Sequence, residues 1–264
     1  MDFEIIDFHT HPYAQSKNNI CAHKDVCKMD VDTTYYEFKK LGVSTICGSV
    51  VELCKCEKEK LWKKIKANND EALMLRDYYK GFYIPGFHIH PEFIEESINE
   101  IHRMHSLGVN LIGELVPYID GWSDYSCEGF SYLLEEAAKY NMIVNFHSGG
   151  ENQMDEMVKK HKDVIFVAAH PGEYSEFMRH IERAKLSENY YLDLSGYGMF
   201  RYGMLRKAID TIGIDRIVFG SDYPTCNPGM YIGGVLFDNT LTDTEKEKIF
   251  SVNAKKLLNK ERKN

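Results

Sequence analysis

Phe3-Glu-Ile-Ile-Asp7-Phe-His9-Thr-His11-Pro12 opens the chain. Its apolar run reads as a strand, and Pro12 ends regular pairing. Side chains alternate across a strand, so Asp7, His9 and His11 share one face if the extension persists. Two imidazoles on one side of a strand end suit a soft or borderline cation. The stretch also decides between two folds. An open doubly wound sheet wants a glycine-rich phosphate loop after its first strand, and His9-Thr-His11 occupies that place instead.

Working outward, apolar or β-branched runs recur at Phe3–Phe8, Val43–Val51, Phe82–Phe87, Val109–Leu115, Met142–Phe146, Val164–Ala168, Tyr190–Leu194 and Ile214–Phe219. Most are near-continuous rather than alternating, as buried parallel strands are. Between them lie charged segments with apolar residues at helical spacing. After Pro91, acids fill a first turn, and Ile94, Ile98 and Ile101 make an inner stripe. Glu128–Tyr140, Asn152–His161, Tyr174–Leu186, Arg201–Thr211 and Thr242–Leu258 read the same way, the last behind a Thr242-x-x-Glu245 capping box. The two longest gaps come early and leave room for extra loop or helix over a site. No proline-, glycine- or serine-rich linker divides residues 1–264. The expectation is a single α/β domain, a (β/α)8 TIM barrel.

The 264 residues are 44% apolar and 27% charged, which fits a soluble globular protein. The net charge of -8 argues against a general phosphate-binding surface, so nucleic acid is an unlikely partner. No apolar run reaches the ~18 residues of a membrane span. Met-Asp-Phe-Glu at the start is no secretory signal, so a cytoplasmic protein with reduced thiols is expected. Seven cysteines are irregularly spaced. A structural zinc site from Cys21, His23, Cys27, Cys54 and Cys56 is the less favoured reading, and scattered buried or loop thiols the favoured one. Outer helices leave a homodimer open.

In this barrel the functional side chains gather at the C-terminal ends of the strands. Those ends carry His9 and His11, Glu52, His88 and His90, Glu114, His147, His170, and Asp222. Any one of them has an ordinary explanation as a rim or cap residue. Together, in a chain with 11 histidines, they converge too consistently for chance.

The motifs Asp7-Phe-His9-Thr-His11-Pro, Gly113-Glu114-Leu, His147, His170-Pro-Gly and Phe219-Gly-Ser-Asp222-Tyr-Pro resemble the amidohydrolase superfamily, especially its amidohydrolase-2 branch. Gly-Phe-His88-Ile-His90-Pro adds a likeness to the TatD-like metal-dependent hydrolases. The resemblance implies metal ligands at His9, His11, His147 and Asp222, with His170 a ligand of a second metal or a catalytic residue. Asp222 would also shuttle protons, and Glu114 would bridge two ions where TatD-like members use glutamate. One or two divalent ions are implied, zinc first and manganese also possible.

Bound metal lowers the pKa of its water and polarises a substrate oxygen. The leading expectation is therefore hydrolysis of a small-molecule amide, lactone or ester, with Asp222 and His170 catalytic. The alternatives are an amidohydrolase-2 type decarboxylase, a two-metal phosphoesterase or TatD-like nuclease, and a non-enzymatic binding protein retaining the barrel. His90, Arg201 and Tyr223 are candidate substrate contacts. Arg201 is the residue to watch for an anionic substrate, and Tyr118 and Trp122 are candidates to line the mouth.

Overall fold

The computed structural model describes residues 3–25, 30–53, 56–197 and 201–259. Its strands are β1 (Ile5–Asp7), β2 (Val43–Gly48), β3 (Tyr83–Phe87), β4 (Leu111–Leu115), β5 (Ile143–His147), β6 (Ile165–Ala169), β7 (Tyr190–Asp193) and β8 (Ile217–Val218). They pair in sequence order, each parallel to the next. The chain just beyond β1 and β8 draws the ring together. Phe8 N–H donates to the Phe219 carbonyl at 2.8 Å, Asp222 N–H to that of His9 at 2.8 Å, and His11 N–H to that of Tyr223 at 2.6 Å. The fold is the expected (β/α)8 barrel.

The strands form because their residues are apolar on both faces. On β5, Ile143, Asn145 and His147 point one way and Val144 and Phe146 the other. Phe146 packs edge-on against Tyr125 and Phe166. Inside the barrel, Leu111, Ile143, Ile165, Val167 and Tyr191 cluster as an apolar layer below the polar mouth.

Several elements depart from the sequence reading. The strand expected over Ile214–Phe219 is only Ile217–Val218, after a 3-10 turn at Ile214–Arg216. Asn253 captures the Ile214 and Ile217 carbonyls at 2.8 Å each, and Phe219 N–H turns to Ile249. The stripe expected from Ile94, Ile98 and Ile101 is rotated. Ser97, Glu100, Ile101 and Met104 are the buried face of the Ile94–Ser106 helix, and Ile94 is exposed. Ser97 and Glu100 turn inward because His90 N–H donates to Ser97 Oγ at 2.9 Å and Asn69 to Glu100 at 3.0 Å. The long early gaps hold the helices Val31–Lys40 and Lys58–Tyr79. The Thr242–Glu245 capping box is present. Among the described residues, no helix is long and apolar enough to cross a membrane.

Behind β7, a buried polar cluster ties two helices to the barrel. Arg183 donates to Asp155 at 2.8 Å and to Glu151 at 2.5 Å. His180 accepts at Nδ1 from the Tyr190 hydroxyl at 2.7 Å. Burial, reinforced by the Arg183 charge, pushes the His180 pKa down to about 3. As pH falls below ~6.5, the unfolded chain takes up a proton that the folded state refuses, so stability drops. Between pH 6.5 and 5 this one residue costs about 2 kcal/mol. Urea unfolding of His180→Gln should therefore show a pH dependence flatter by about that amount, and an unchanged slope would show that His180 is not the source.

Candidate active site

The hydrogen bonds that close the barrel also build its mouth. Past Asp7 the first strand stays extended, held by Thr10 N–H on the Cys47 carbonyl at 2.8 Å and by the contacts to Phe219, Asp222 and Tyr223. His9 and His11 therefore point the same way, with Nε2 atoms 3.2 Å apart. His9 Nδ1 donates to Asp193 Oδ2 at 2.9 Å, and His11 Nδ1 to the Ser49 carbonyl at 2.9 Å. With those protons placed on Nδ1, each Nε2 presents a lone pair.

Two carboxylates face the same point. Glu114 Oε2 lies 3.4 Å from His9 Nε2 and 3.3 Å from His11 Nε2. Asp222 Oδ1 lies 3.7 and 3.5 Å from the same two atoms. With both rings neutral, four acceptors converge there. A proton relieves only one pair, whereas a cation relieves all four. Bonds of ~2.1 Å to a central ion set tetrahedral ligand atoms ~3.4 Å apart, so the spacing suits a divalent metal.

The other oxygen of Glu114 serves a second pair. His147 Nδ1 and His170 Nε2 each lie 3.0 Å from Glu114 Oε1. The donor groups His9–His11–Glu114, His9–His170–Asp222 and Glu114–His147–His170 can each hold an ion. Burial would raise the Glu114 pKa, but the His9 and His170 rings and the contacts with His11 and His147 hold it well below its ordinary value. Burial would lower His9, yet the Asp193 and Glu114 carboxylates hold it well above. Asp222 is pushed up by burial, against the pull of His9, His11 and His170.

Local backbone makes this convergence possible. Gly113 has φ 91°, and a Cβ there would come within 2.1 Å of the Asn145 carbonyl. Only glycine lets β4 run this close to β5 and present Glu114. At Gly196 a Cβ would meet His170 Nδ1 at 2.2 Å. His170 and Asp222 themselves sit at φ 59° and 65°. Such non-glycine conformations cost ~1–3 kcal/mol and persist only where the surroundings enforce them.

Above the cluster opens a cavity of about 360 Å³. Its floor is His11, Glu114, His147, His170 and Asp222, and its walls include Ile20, Val51, Leu53, Val116, Tyr118 and Ile119. No lysine or arginine lines it among the described residues.

Residues 6–260 match the family Amidohydro_2, described as amidohydrolase. The chain belongs to this amidohydrolase family. No curated protein matches it by sequence. Among solved structures, 2,6-dihydroxybenzoate decarboxylase from Rhizobium superposes with a TM-score of 0.77 at 15% identity, covering 97% of this chain and 98% of that one. A dihydroxybenzoic acid decarboxylase from Polaromonas with bound manganese and 2-nitroresorcinol gives 0.75 at 13% identity, covering 99% and 98%. An uncharacterized TIM-barrel protein from Bordetella bronchiseptica gives 0.74 at 18% identity, covering 98% and 100%. At such identities the likeness is one of fold.

The six residues singled out as possible ligands, His9, His11, Glu114, His147, His170 and Asp222, lie together at the mouth. The candidate substrate contacts do not join them. His90 is buried, donating from Nε2 to the Asp120 carbonyl at 3.0 Å and accepting at Nδ1 from Glu92 N–H at 3.1 Å. Tyr223 is buried too, its hydroxyl 2.8 Å from Thr34 Oγ1 and its ring edge-on to Phe38. Arg201 pairs with Glu173 at 2.9 Å and lines a neighbouring cavity. His88 donates to the Val50 carbonyl at 3.0 Å, and Glu52 pairs with Lys17 at 2.9 Å. Tyr118 lines the mouth, whereas Trp122 is buried against Phe130. Of the suggested cysteine site, Cys27 and Cys54 lie outside the described residues, Cys21 is buried and Cys56 exposed.

One residue beneath the site escaped the sequence reading. Asp193 ends β7 fully buried under His9, and Ser195 follows it on the same parity. The signal was a carboxylate at the end of the one strand to which no polar residue had been assigned.

Glu114→Gln removes a negative charge and puts an N–H₂ among acceptors. Its affinity for manganese or zinc should fall at least about tenfold, read by calorimetric titration of metal-free protein. Wild-type affinity in this variant would remove Glu114 from the donor set.

Proposed function

We propose that this member of the amidohydrolase family is a metal-dependent decarboxylase of a small aromatic or similarly flat carboxylic acid. The observation that carries it is the cavity: a polar floor of metal donors beneath largely apolar walls that carry no cationic side chain among the described residues. The substrate's ring fits such walls, and its carboxylate would find a positive partner in the ion at the floor. The fold shared with decarboxylases of dihydroxybenzoate and 5-carboxyvanillate supports this reading over hydrolysis.

In this scheme His9, His11, Glu114 and Asp222 would hold the ion, with His170 Nε2 a further donor, and the mixed nitrogen and oxygen set suits manganese or zinc. When bound, the ion supplies a positive charge that draws in the carboxylate and stabilises charge building on substrate oxygens. The remaining chemistry belongs to the chain. Asp222 is the floor carboxylate that reaches the cavity most openly, its side chain 10% exposed against 3% for Glu114. It donates a proton to the carbon bearing the carboxylate. The carbon–carbon bond then breaks, its electron pair returns to the ring π system, and carbon dioxide leaves. Solvent returns the proton to Asp222. His147 holds Glu114 in place from Nδ1, and His170 lines the cavity beside Asp222. The apolar walls keep water from the carboxylate, which favours loss of its charge.

Hydrolysis is the second reading, favoured by the two-sided use of Glu114. With an ion on each side of that carboxylate, the site suits activation of water instead.

A panel of hydroxylated benzoates, lactones, amides and phosphodiesters given to manganese- or zinc-loaded protein separates the two. Carbon dioxide release from a benzoate is expected, with the other classes inert. Turnover of a lactone or amide with no decarboxylation would establish hydrolysis. Asp222→Asn keeps the shape but loses the transferable proton. It should retain an ion and the fold while turnover drops by at least ~10²-fold. Near-normal turnover in a metal-loaded variant would exclude Asp222 as the proton donor.

A further inference from the structure

We propose that Asp193 and Ser195 are positioning residues that fix which ring nitrogen of His9 and of His170 faces the cluster, and so set its affinity for a divalent ion. The inference rests on the metal-binding reading of the cluster.

Asp193 is wholly buried, and its carboxylate is surrounded by donors. Oδ2 accepts from His9 Nδ1 at 2.9 Å and from Asn145 Nδ2 at 3.0 Å. Oδ1 accepts from Ser195 N–H at 2.9 Å and from the Ser195 hydroxyl. A buried carboxylate is stable only when its lone pairs are satisfied in this way. None of these contacts faces the cavity, so the role is to hold other groups.

The Ser195 hydroxyl has one hydrogen, and its contact with Asp193 takes it. Its lone pairs are then left for the two rings, His9 Nδ1 at 3.0 Å and His170 Nδ1 at 3.2 Å. The His9 proton goes to the carboxylate, the stronger acceptor. The His170 Nδ1 proton goes to Ser195, whose carbonyl also lies 3.3 Å away. One acidic hub therefore points both Nδ1 protons away from the mouth. The Nε2 atoms of both rings are left for the ion.

Asparagine at 193 can turn an N–H toward His9 Nδ1. The ring proton then moves to Nε2 and blocks the lone pair. Alanine at 195 removes only the acceptor for His170.

The test titrates manganese and zinc separately into metal-free wild type, Asp193→Asn and Ser195→Ala by calorimetry. Ring-nitrogen NMR of histidine-labelled protein reports the tautomers. Asp193→Asn should bind ~10–100-fold more weakly and lose the Nδ1–H signal of His9. Ser195→Ala should bind more weakly by a smaller factor and lose the ordered Nδ1–H signal of His170. A purely structural role would lower the melting temperature of the metal-free variants without moving these signals. Wild-type affinity and unchanged tautomers in both folded variants would overturn the proposal. If Asp193→Asn fails to fold, Ser195→Ala decides: unchanged affinity and an unchanged His170 signal overturn it. Failure of the wild type to bind either ion is a different pattern, and sinks the metal reading and this inference together.

Discussion

The hydrogen bond from the Asp222 amide to the His9 carbonyl, 2.8 Å long, belongs to the seam between the first and last strands. It draws the barrel closed and at the same time sets two proposed ligands side by side. His11, whose N–H reaches the Tyr223 carbonyl across the same seam, is fixed by the next bond along. Fold and site are thus one constraint. A chain that closes the ring must bring His9, His11 and Asp222 together, and β4 then supplies Glu114 opposite them. The result is a cluster of lone pairs that repel unless a positive charge sits among them. This is why a site so unfavourable to an empty protein needs the rigidity of a closed barrel.

Barrel and ligand set were legible because both are written in local pattern. β5 reads as Met142–Phe146 from its apolar run, and the structure moves it by one residue to Ile143–His147. His147 and His170 stood out because an imidazole ends a hydrophobic run. What could not be read depends on partners far away in the chain. His90 looked like a mouth residue, but Asp120 and Glu92 claim both its nitrogens. Arg201 looked like an anion anchor, but Glu173 takes it. Asp193 acts on a residue 184 positions earlier, and its strand end carried no imidazole to draw the eye. Ile94 followed helical spacing, yet Ser97 and Glu100 found polar partners inside and turned the helix.

The same donor set serves hydrolysis and decarboxylation, so ligands alone do not choose the reaction. The choice lies in what surrounds the reacting group. Walls such as Ile20, Val116 and Ile119 offer apolar surface to a carboxylate and, among the described residues, no side-chain cation to hold it. That environment penalises a charged group and rewards its loss as neutral carbon dioxide. A hydrolase acting on a neutral amide gains less from such walls. The anion anchor sought in Arg201 is then unnecessary, because the ion itself fills that role.

The central claim is that the four converging acceptors hold a divalent ion. Diffraction from crystals grown with manganese, recorded above and below its absorption edge, locates such an ion without reference to activity. The account predicts an anomalous peak within bonding reach of His9 Nε2, His11 Nε2, Glu114 Oε2 and Asp222 Oδ1. A well-ordered mouth with no such peak at saturating manganese, and none in a parallel zinc experiment, would contradict it.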